Sequence, residues 1–180
     1  MIYRLSAEYF VRVFDEADLD GPYPLWFQDQ EVCSYNGHGK FFYSREALKS
    51  FALTANSERQ IVWAICHGKD GHIGNISLQN ISSINRVGEL AILIGAKSHW
   101  GAGVGHLAGM VLLRHGFQKL GLEKIYCGTA DCNTGMKKLA LSLGMQHEGT
   151  RRSHVFLNGK REDVVEYGVL RTEFLKLSDS

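Results

Sequence analysis

Only two prolines interrupt this chain of 180 residues, Pro22 and Pro24, and they stand almost together. No proline-rich, repetitive or low-complexity tract marks a linker, so the expectation is one domain over residues 1–180. Long apolar runs are missing as well: none approaches the ~20 residues of a membrane-spanning helix. The opening residues, Met1 to Glu8, lack the apolar core of a signal peptide. An excess of one charge is absent too. Twenty Lys and Arg against 19 Asp and Glu leave a net charge of +1 with no charged block, which argues against nucleic acid as a ligand. Cys33, Cys66, Cys127 and Cys132 form no CxxC pair, and eight histidines form no HxH or HxxxH pair. The thiols are expected to be reduced and buried, and no metal site is expected. Together these absences describe a cytoplasmic protein without a membrane partner.

What is present centres on Gly88–Gly105. The apolar run Glu89–Ile94 reads as a buried strand, and a short polar turn follows. Gly101, Gly103 and Gly105 then open a helical pattern carrying Val104, Leu107, Met110, Val111, Leu113, Phe117 and Leu120. Small residues let the backbone close on a ligand. The first helical turn offers unpaired N–H groups and the positive end of a dipole, so the order builds a phosphate cradle. A Walker loop is excluded, because no Gly-Lys-Ser/Thr ending is present. A dinucleotide fold would place its glycines after the first strand and an acidic residue at a later strand end. Here the glycines follow three hairpin-linked strands, and Glu123 precedes a strand.

The remaining pattern gives a coarse order of elements. Residues 8–14 read as a first strand, and Leu25-Trp26-Phe27 as a short helix after the turn at 20–24. Ser44 is a candidate cap for a helix bearing Leu48, Phe51 and Leu53. Strands are expected at Ile61–Cys66, Ile73–Leu78 and Lys124–Thr129, with a turn at Lys69-Asp70-Gly71. Asn133 caps a helix bearing Met136, Leu139, Ala140 and Leu143. Asn158-Gly159 joins two last strands in a type I′ hairpin. Antiparallel hairpins around one helical crossover make an α/β mixed sheet.

These segments carry a resemblance. Trp100-Gly101-Ala102-Gly103-Val104-Gly105 resembles the Trp-Gly-x-Gly-x-Gly loop of the GNAT superfamily of N-acetyltransferases, in the branch that includes RimJ and RimL. Glu89 matches that branch's acidic position. Asp131-Cys132-Asn133 with Leu143-Gly144-Met145, and Asn158-Gly159-Lys160 with Tyr167-Gly168, match its later segments, so the likeness covers roughly residues 8–170. It implies the GNAT fold, a mixed and mostly antiparallel sheet with helices on both faces, splayed between the fourth and fifth strands. It implies acetyl-CoA as donor, with the backbone of Leu93 and Ile94 along pantetheine. Amides from Gly101 to His106 would hold the pyrophosphate, and Asn133 would bind pantetheine nearer the thioester. It implies direct attack by an amine in a ternary complex, with Glu89 as general base through a water.

The sequence also departs from that pattern. Met136 stands where relatives often carry Ser, and Ala140 where many carry the Tyr that protonates the CoA thiolate. Ser142, Tyr167 or a water remain as substitutes for that acid, or the thiolate departs directly, and Ala102 removes a usual positive charge from the loop.

The acceptor side is expected from residues 20–43 and the last hairpin. The segment Tyr23–Val32 resembles that of GNAT proteins acting on nucleotide-linked amino sugars. Asp29 would hold an ammonium or cap a turn. Trp26 or Tyr35 would stack on a sugar or base, or Trp26 would anchor a helix on the sheet with Phe27 and Val32, and His38 would touch substrate or stay a surface residue. Arg151, Arg152 and His154 would meet an acidic group or form a solvated face. The favoured acceptor is a small-molecule amine such as an amino sugar. A protein N-terminus and a non-catalytic acyl-CoA-binding module are the alternatives, and a homodimer is compatible with the sequence.

Overall fold

One eight-stranded sheet organises the chain, and two separate apolar clusters cover its faces. The computed structural model describes residues 1–41 and 43–178. The strands are β1 (Ile2–Arg4), β2 (Tyr9–Val13), β3 (Ile61–His67), β4 (Gly71–Ser82), β5 (Val87–Ile94), β6 (Lys124–Ala130), β7 (Gln146–Leu157) and β8 (Lys160–Leu170), in the order β1-β2-β3-β4-β5-β6-β8-β7. All neighbours are antiparallel except β5 and β6. That parallel pair is joined through a helix, as a parallel connection requires.

The helices are α1 (Tyr23–Trp26), α2 (Arg45–Thr54), α3 (Val104–Gln118), α4 (Thr134–Ser142) and α5 (Arg171–Ser178). Ser44 caps α2 by accepting from the Ala47 N–H at 3.2 Å. Asn133 caps α4 in the same way, through Met136 N–H at 3.1 Å.

The apolar run of β3 is continuous because both faces of the sheet are covered. Val62 points into the cluster formed with α1 and α2, where Phe14, Tyr23, Trp26 and Leu48 lie. Trp63 and Ile65 point into the opposite cluster, with Leu112, Phe117, Ala140 and Leu143 of α3 and α4. On β5 the same alternation sends Leu90, Ile92 and Ile94 toward α3, and Leu93 toward α1. Glu89, two residues from Ala91 and four from Leu93, therefore stands on the α1/α2 face.

Beneath that face lies a buried charge cluster. Asp18 is 4% exposed and takes bonds of 2.6 and 2.8 Å from the Arg12 guanidinium. His72 Nδ1 lies 3.1 Å from Asp18 Oδ1, and the His72 ring stacks against Tyr23. Burial alone would raise the Asp18 pKa, but the bonds from Arg12, His72 and the Asp15 amide hold it well below the usual carboxylate range. The cluster fastens the turn before α1 to β2 and β4.

Four expectations need correction. An extra edge strand, β1, precedes the strand expected at 8–14, so the parallel pair is the fifth and sixth strands instead of the fourth and fifth. The pair itself is the expected one. β1 is three residues long, too short for an alternation to be visible. Helix α5 was also unforeseen: fully buried Phe174 packs on Phe117 at 5.2 Å. Cys132 is exposed, because it sits in the turn between β6 and α4, while the other three thiols are buried. The strand expected at Ile73–Leu78 runs on to Ser82, through an irregularity between Gln79 and Ser82.

Candidate active site

Strands β5 and β6 pair only at Val87–Lys124, Gly88–Ile125 and Glu89–Tyr126. Beyond Glu89 the two strands separate, and the edge of β5 toward β6 runs on to Ile94 without a strand partner there. An extended ligand with amide groups can take that place. The Ile94 carbonyl accepts from the Trp100 indole at 2.8 Å, so its second lone pair is what a ligand would use.

At the far end of this opening lies the glycine loop. Gly101 and Gly103 have φ of 75° and 77°, the left-handed region, with open space around both. Gly103 stands at the N-cap of α3 and supplies no side-chain cap, so the amides of Val104 and Gly105 face outward without a helical partner. His106 Nδ1 lies 3.1 Å from Ser142 Oγ, whose hydroxyl donates to the Leu139 carbonyl at 2.8 Å. The hydroxyl therefore accepts from the ring, which fixes the proton of His106 on Nδ1. This contact ties the loop helix to α4. Asn133 spends its side chain on the cap and on Thr129 Oγ1 (3.1 Å), leaving one N–H and one lone pair.

Glu89 occupies the point where the strands part. Its Oε2 accepts from Asn80 Nδ2 at 2.7 Å. Asn80 has φ 49° in the irregular stretch of β4, a backbone conformation asparagine adopts more readily than most residues. Tyr126 pairs opposite Glu89 on the same face, and Glu166 of β8 stands diagonally from Tyr126, opposite Gly128. The Tyr126 phenol is raised in pKa, first by burial and then by Glu89 and Glu166. Arg151 partly offsets this, since it bonds Glu166 at 2.9 Å.

Tyr167 lies at the level of Cys127, one residue past the last paired position, and is 7% exposed. It belongs to the cluster on the α3/α4 face, opposite to Glu89. Ala140 is fully buried in the same cluster and carries no acid.

The N-terminal candidates divide. Trp26 is 6% exposed and packs edge-on against Tyr23 and His72, so its ring is structural. Asp29 bonds the amides of Glu31 and Val32 and pairs with Lys97 at 2.8 Å, which lowers its pKa. Tyr35 remains exposed. His38 packs on Phe27 at 5.4 Å, and the lost hydration lowers its pKa. Lys40 donates to the Phe156 carbonyl, linking this segment to the β7–β8 hairpin. Arg152 and His154 are exposed on β7, and His154 Nε2 lies 2.7 Å from Arg151. Phe42, within the expected acceptor segment, lies outside the described residues.

A family model described as the acetyltransferase (GNAT) domain matches residues 9–146. The chain belongs to the GNAT family of acetyltransferases. YdaF of Bacillus subtilis (strain 168) is 31% identical to this GNAT protein over 106 residues, 58% of this chain and 57% of YdaF. The spermidine N(1)-acetyltransferase of Vibrio cholerae is 30% identical over 134 residues, covering 74% of this chain and 76% of that enzyme. In fold it superposes on RimL, a ribosomal L7/L12 α-N-protein acetyltransferase solved with coenzyme A. That match has a TM-score of 0.85 at 16% identity and covers 94% of this chain and 98% of RimL. Among the described residues, no helix of this GNAT acetyltransferase is long and apolar enough to cross a membrane.

Asn80, Tyr126 and Glu166 escaped the sequence reading. Asn80 had a weak signal as an asparagine inside a strand pattern. Tyr126 comes beside Glu89, and Glu166 near Tyr126, only through pairing across three strands.

Proposed function

We propose that residues 1–180 act as one domain that transfers an acetyl group from acetyl-CoA to a small-molecule primary amine, in the cytoplasm. The observation that carries this is the parting of β5 and β6 directly after Glu89, with an uncapped helix N-terminus at the other end of the opening. Pantetheine would lie along Leu93 and Ile94, and the pyrophosphate over the amides from Gly101 to His106. Trp100 would wall the loop. Asn133 would offer its remaining N–H to the pantetheine arm.

The two faces of the sheet then divide the chemistry. An alkylammonium resembles Lys, with a pKa of about 10.4, and must lose a proton before it attacks. Glu89, on the α1/α2 face, takes that proton through a water, with Asn80 orienting its carboxylate. Attack on the thioester carbonyl forms the C–N bond, and the C–S bond breaks as the tetrahedral intermediate collapses. Tyr167, on the α3/α4 face, is the candidate donor to the departing thiolate. Base and acid on opposite sides of the gap suit a nucleophile and a leaving group on opposite sides of one carbonyl carbon.

The acceptor enters beside Glu89, Tyr126 and Glu166. The Glu89 carboxylate at the entrance favours a cationic amine, Glu166 being paired with Arg151, and the Vibrio cholerae relative is a spermidine N(1)-acetyltransferase. Tyr35 and His38 lie on the segment that borders this face, where they would contact the more distant part of the acceptor, while Asp29 holds that segment through the Glu31 and Val32 amides and Lys97. Thiol release from acetyl-CoA, followed with amino sugars, polyamines and N-terminal peptides, tests the proposal. Turnover with small amines supports it. Turnover with peptides alone moves the acceptor to protein N-termini, and CoA binding without turnover reduces the protein to a binding module.

A further inference from the structure

His67, Asp70 and His99 converge at one point, although 32 positions separate the two histidines. His67 ends β3, Asp70 sits in the β3–β4 turn, and His99 lies in the turn just before the glycine loop. His67 Nδ1 is 2.9 Å from Asp70 Oδ2, and His99 Nε2 is 3.0 Å from the same oxygen. All three donor atoms fall within 4.8 Å of one another, and among the described residues this is the one group of three so arranged. The two imidazoles are nearly buried, with side-chain exposures of 11% and 8%, while Asp70 is 57% exposed.

We propose that these three side chains form a zinc-type site, with Nδ1 of His67, Oδ2 of Asp70 and Nε2 of His99 as ligands and a solvent molecule in the open fourth position. Two imidazoles and one carboxylate suit a borderline divalent transition metal such as Zn²⁺, not Ca²⁺ or Mg²⁺, which prefer oxygen donors. A tetrahedral ion with bonds of about 2.0–2.1 Å sets its ligand atoms about 3.3 Å apart, close to the 2.9 and 3.0 Å that separate the two ring nitrogens from Asp70 Oδ2.

The surroundings support ligation. Tyr9 Oη lies 2.9 Å from His99 Nδ1. With Nε2 on the metal, Nδ1 carries the proton and donates to that phenol, the outer-shell arrangement that orients a ligating histidine. The Asp70 amide approaches the same His67 Nδ1 at 3.3 Å, a contact that would give way to the ion on metal binding. Tyr9 also packs against both rings, at centroid distances of 5.1 and 5.6 Å. A bound ion would lock the β3–β4 turn to the segment that enters the glycine loop. The site itself does not depend on what that loop binds.

The sequence hid this group because His67 and Asp70, three residues apart, are too few to mark a site, and His99 stands 32 residues from His67 and joins them only in the fold.

The test uses tag-free full-length protein stripped with chelator. Zn²⁺ is titrated in competition with a chromophoric chelator, and Co²⁺ is used to read coordination from its visible spectrum. Expected are stoichiometric Zn²⁺ binding, a raised Tm with Zn²⁺, and the intense d–d bands of tetrahedral Co²⁺. Asp70→Ala, at an exposed turn the fold tolerates, should abolish the bands and the Tm shift; His67→Ala should do the same. Tyr9→Phe should keep the site but weaken it by about 10- to 100-fold. Absence of stoichiometric Zn²⁺ binding would overturn the proposal, and so would binding that survives Asp70→Ala.

Discussion

The indole of Trp26 occupies the space where a side chain at position 95 would stand. A Cβ built on Gly95 falls 1.9 to 2.3 Å from three indole atoms. Helix α1 and the end of β5 are thus closed against each other, and the acceptor-side segment is seated on the donor-side strand. Gly95→Ala should destabilise the fold by about 3 kcal/mol or more, since an indole packed on three sides has nowhere to move. In a Trp26→Ala background the same change should cost far less. A double-mutant cycle by urea denaturation measures the coupling, and additive effects would mean the two sites do not share this space.

Glu89→Gln should lower kcat by about 100- to 10,000-fold and leave the KM for acetyl-CoA nearly unchanged, as removal of a general base does. Asn80→Ala should produce a smaller loss of kcat, because it frees the carboxylate to rotate without removing it. Steady-state kinetics with an accepted amine checks both. An unaffected kcat in Glu89→Gln removes the base from the proposed mechanism.

Gly103 and Gly105 should respond differently to the same change. Gly103→Ala forces a Cβ into the left-handed region and should cost about 1–2 kcal/mol, or shift the loop and weaken CoA binding. A Cβ at Gly105 meets Ile92 and Leu139 at 3.5 Å, ordinary contact distance inside a helix, so Gly105→Ala should be nearly neutral in stability. Thermal melts and calorimetry with CoA separate the two.

The Arg12–Asp18–His72 cluster predicts the acid behaviour of the fold. The folded pKa of Asp18 lies below its unfolded value of about 3.9, so its contribution is fully present above that pH. It is lost as pH falls from about 4 through the depressed folded pKa. Asp18→Asn should cost about 3–5 kcal/mol at neutral pH by leaving Arg12 beside a neutral partner. It should also flatten the loss of stability on acidification. Denaturation curves collected from neutral to acidic pH test both statements.

Much of the donor side was legible because its signals are local. The left-handed glycines, the Asn133 cap and the Asn158-Gly159 turn (φ 49° and 79°) each lie within a few residues of sequence. The acceptor side was legible only in part. Trp26 read equally well as a stacking platform or a core residue, and burial against Gly95 decides for the core. Asp29 read as an ammonium ligand or a turn former. It forms the turn, and Lys97, in the turn that follows β5, pairs with it.

The amino-acid order by itself determined the alternation of strand and helix, the glycine loop and the membership in an acetyltransferase family, because each depends on near neighbours and periodicity. Tertiary structure alone decided which face of the sheet Glu89 takes, which side chains stand around it, and that His67 and Asp70 meet His99. Those relations follow from strand register and from side chains alternating across a pleated sheet. One added residue would reverse them without changing the local pattern.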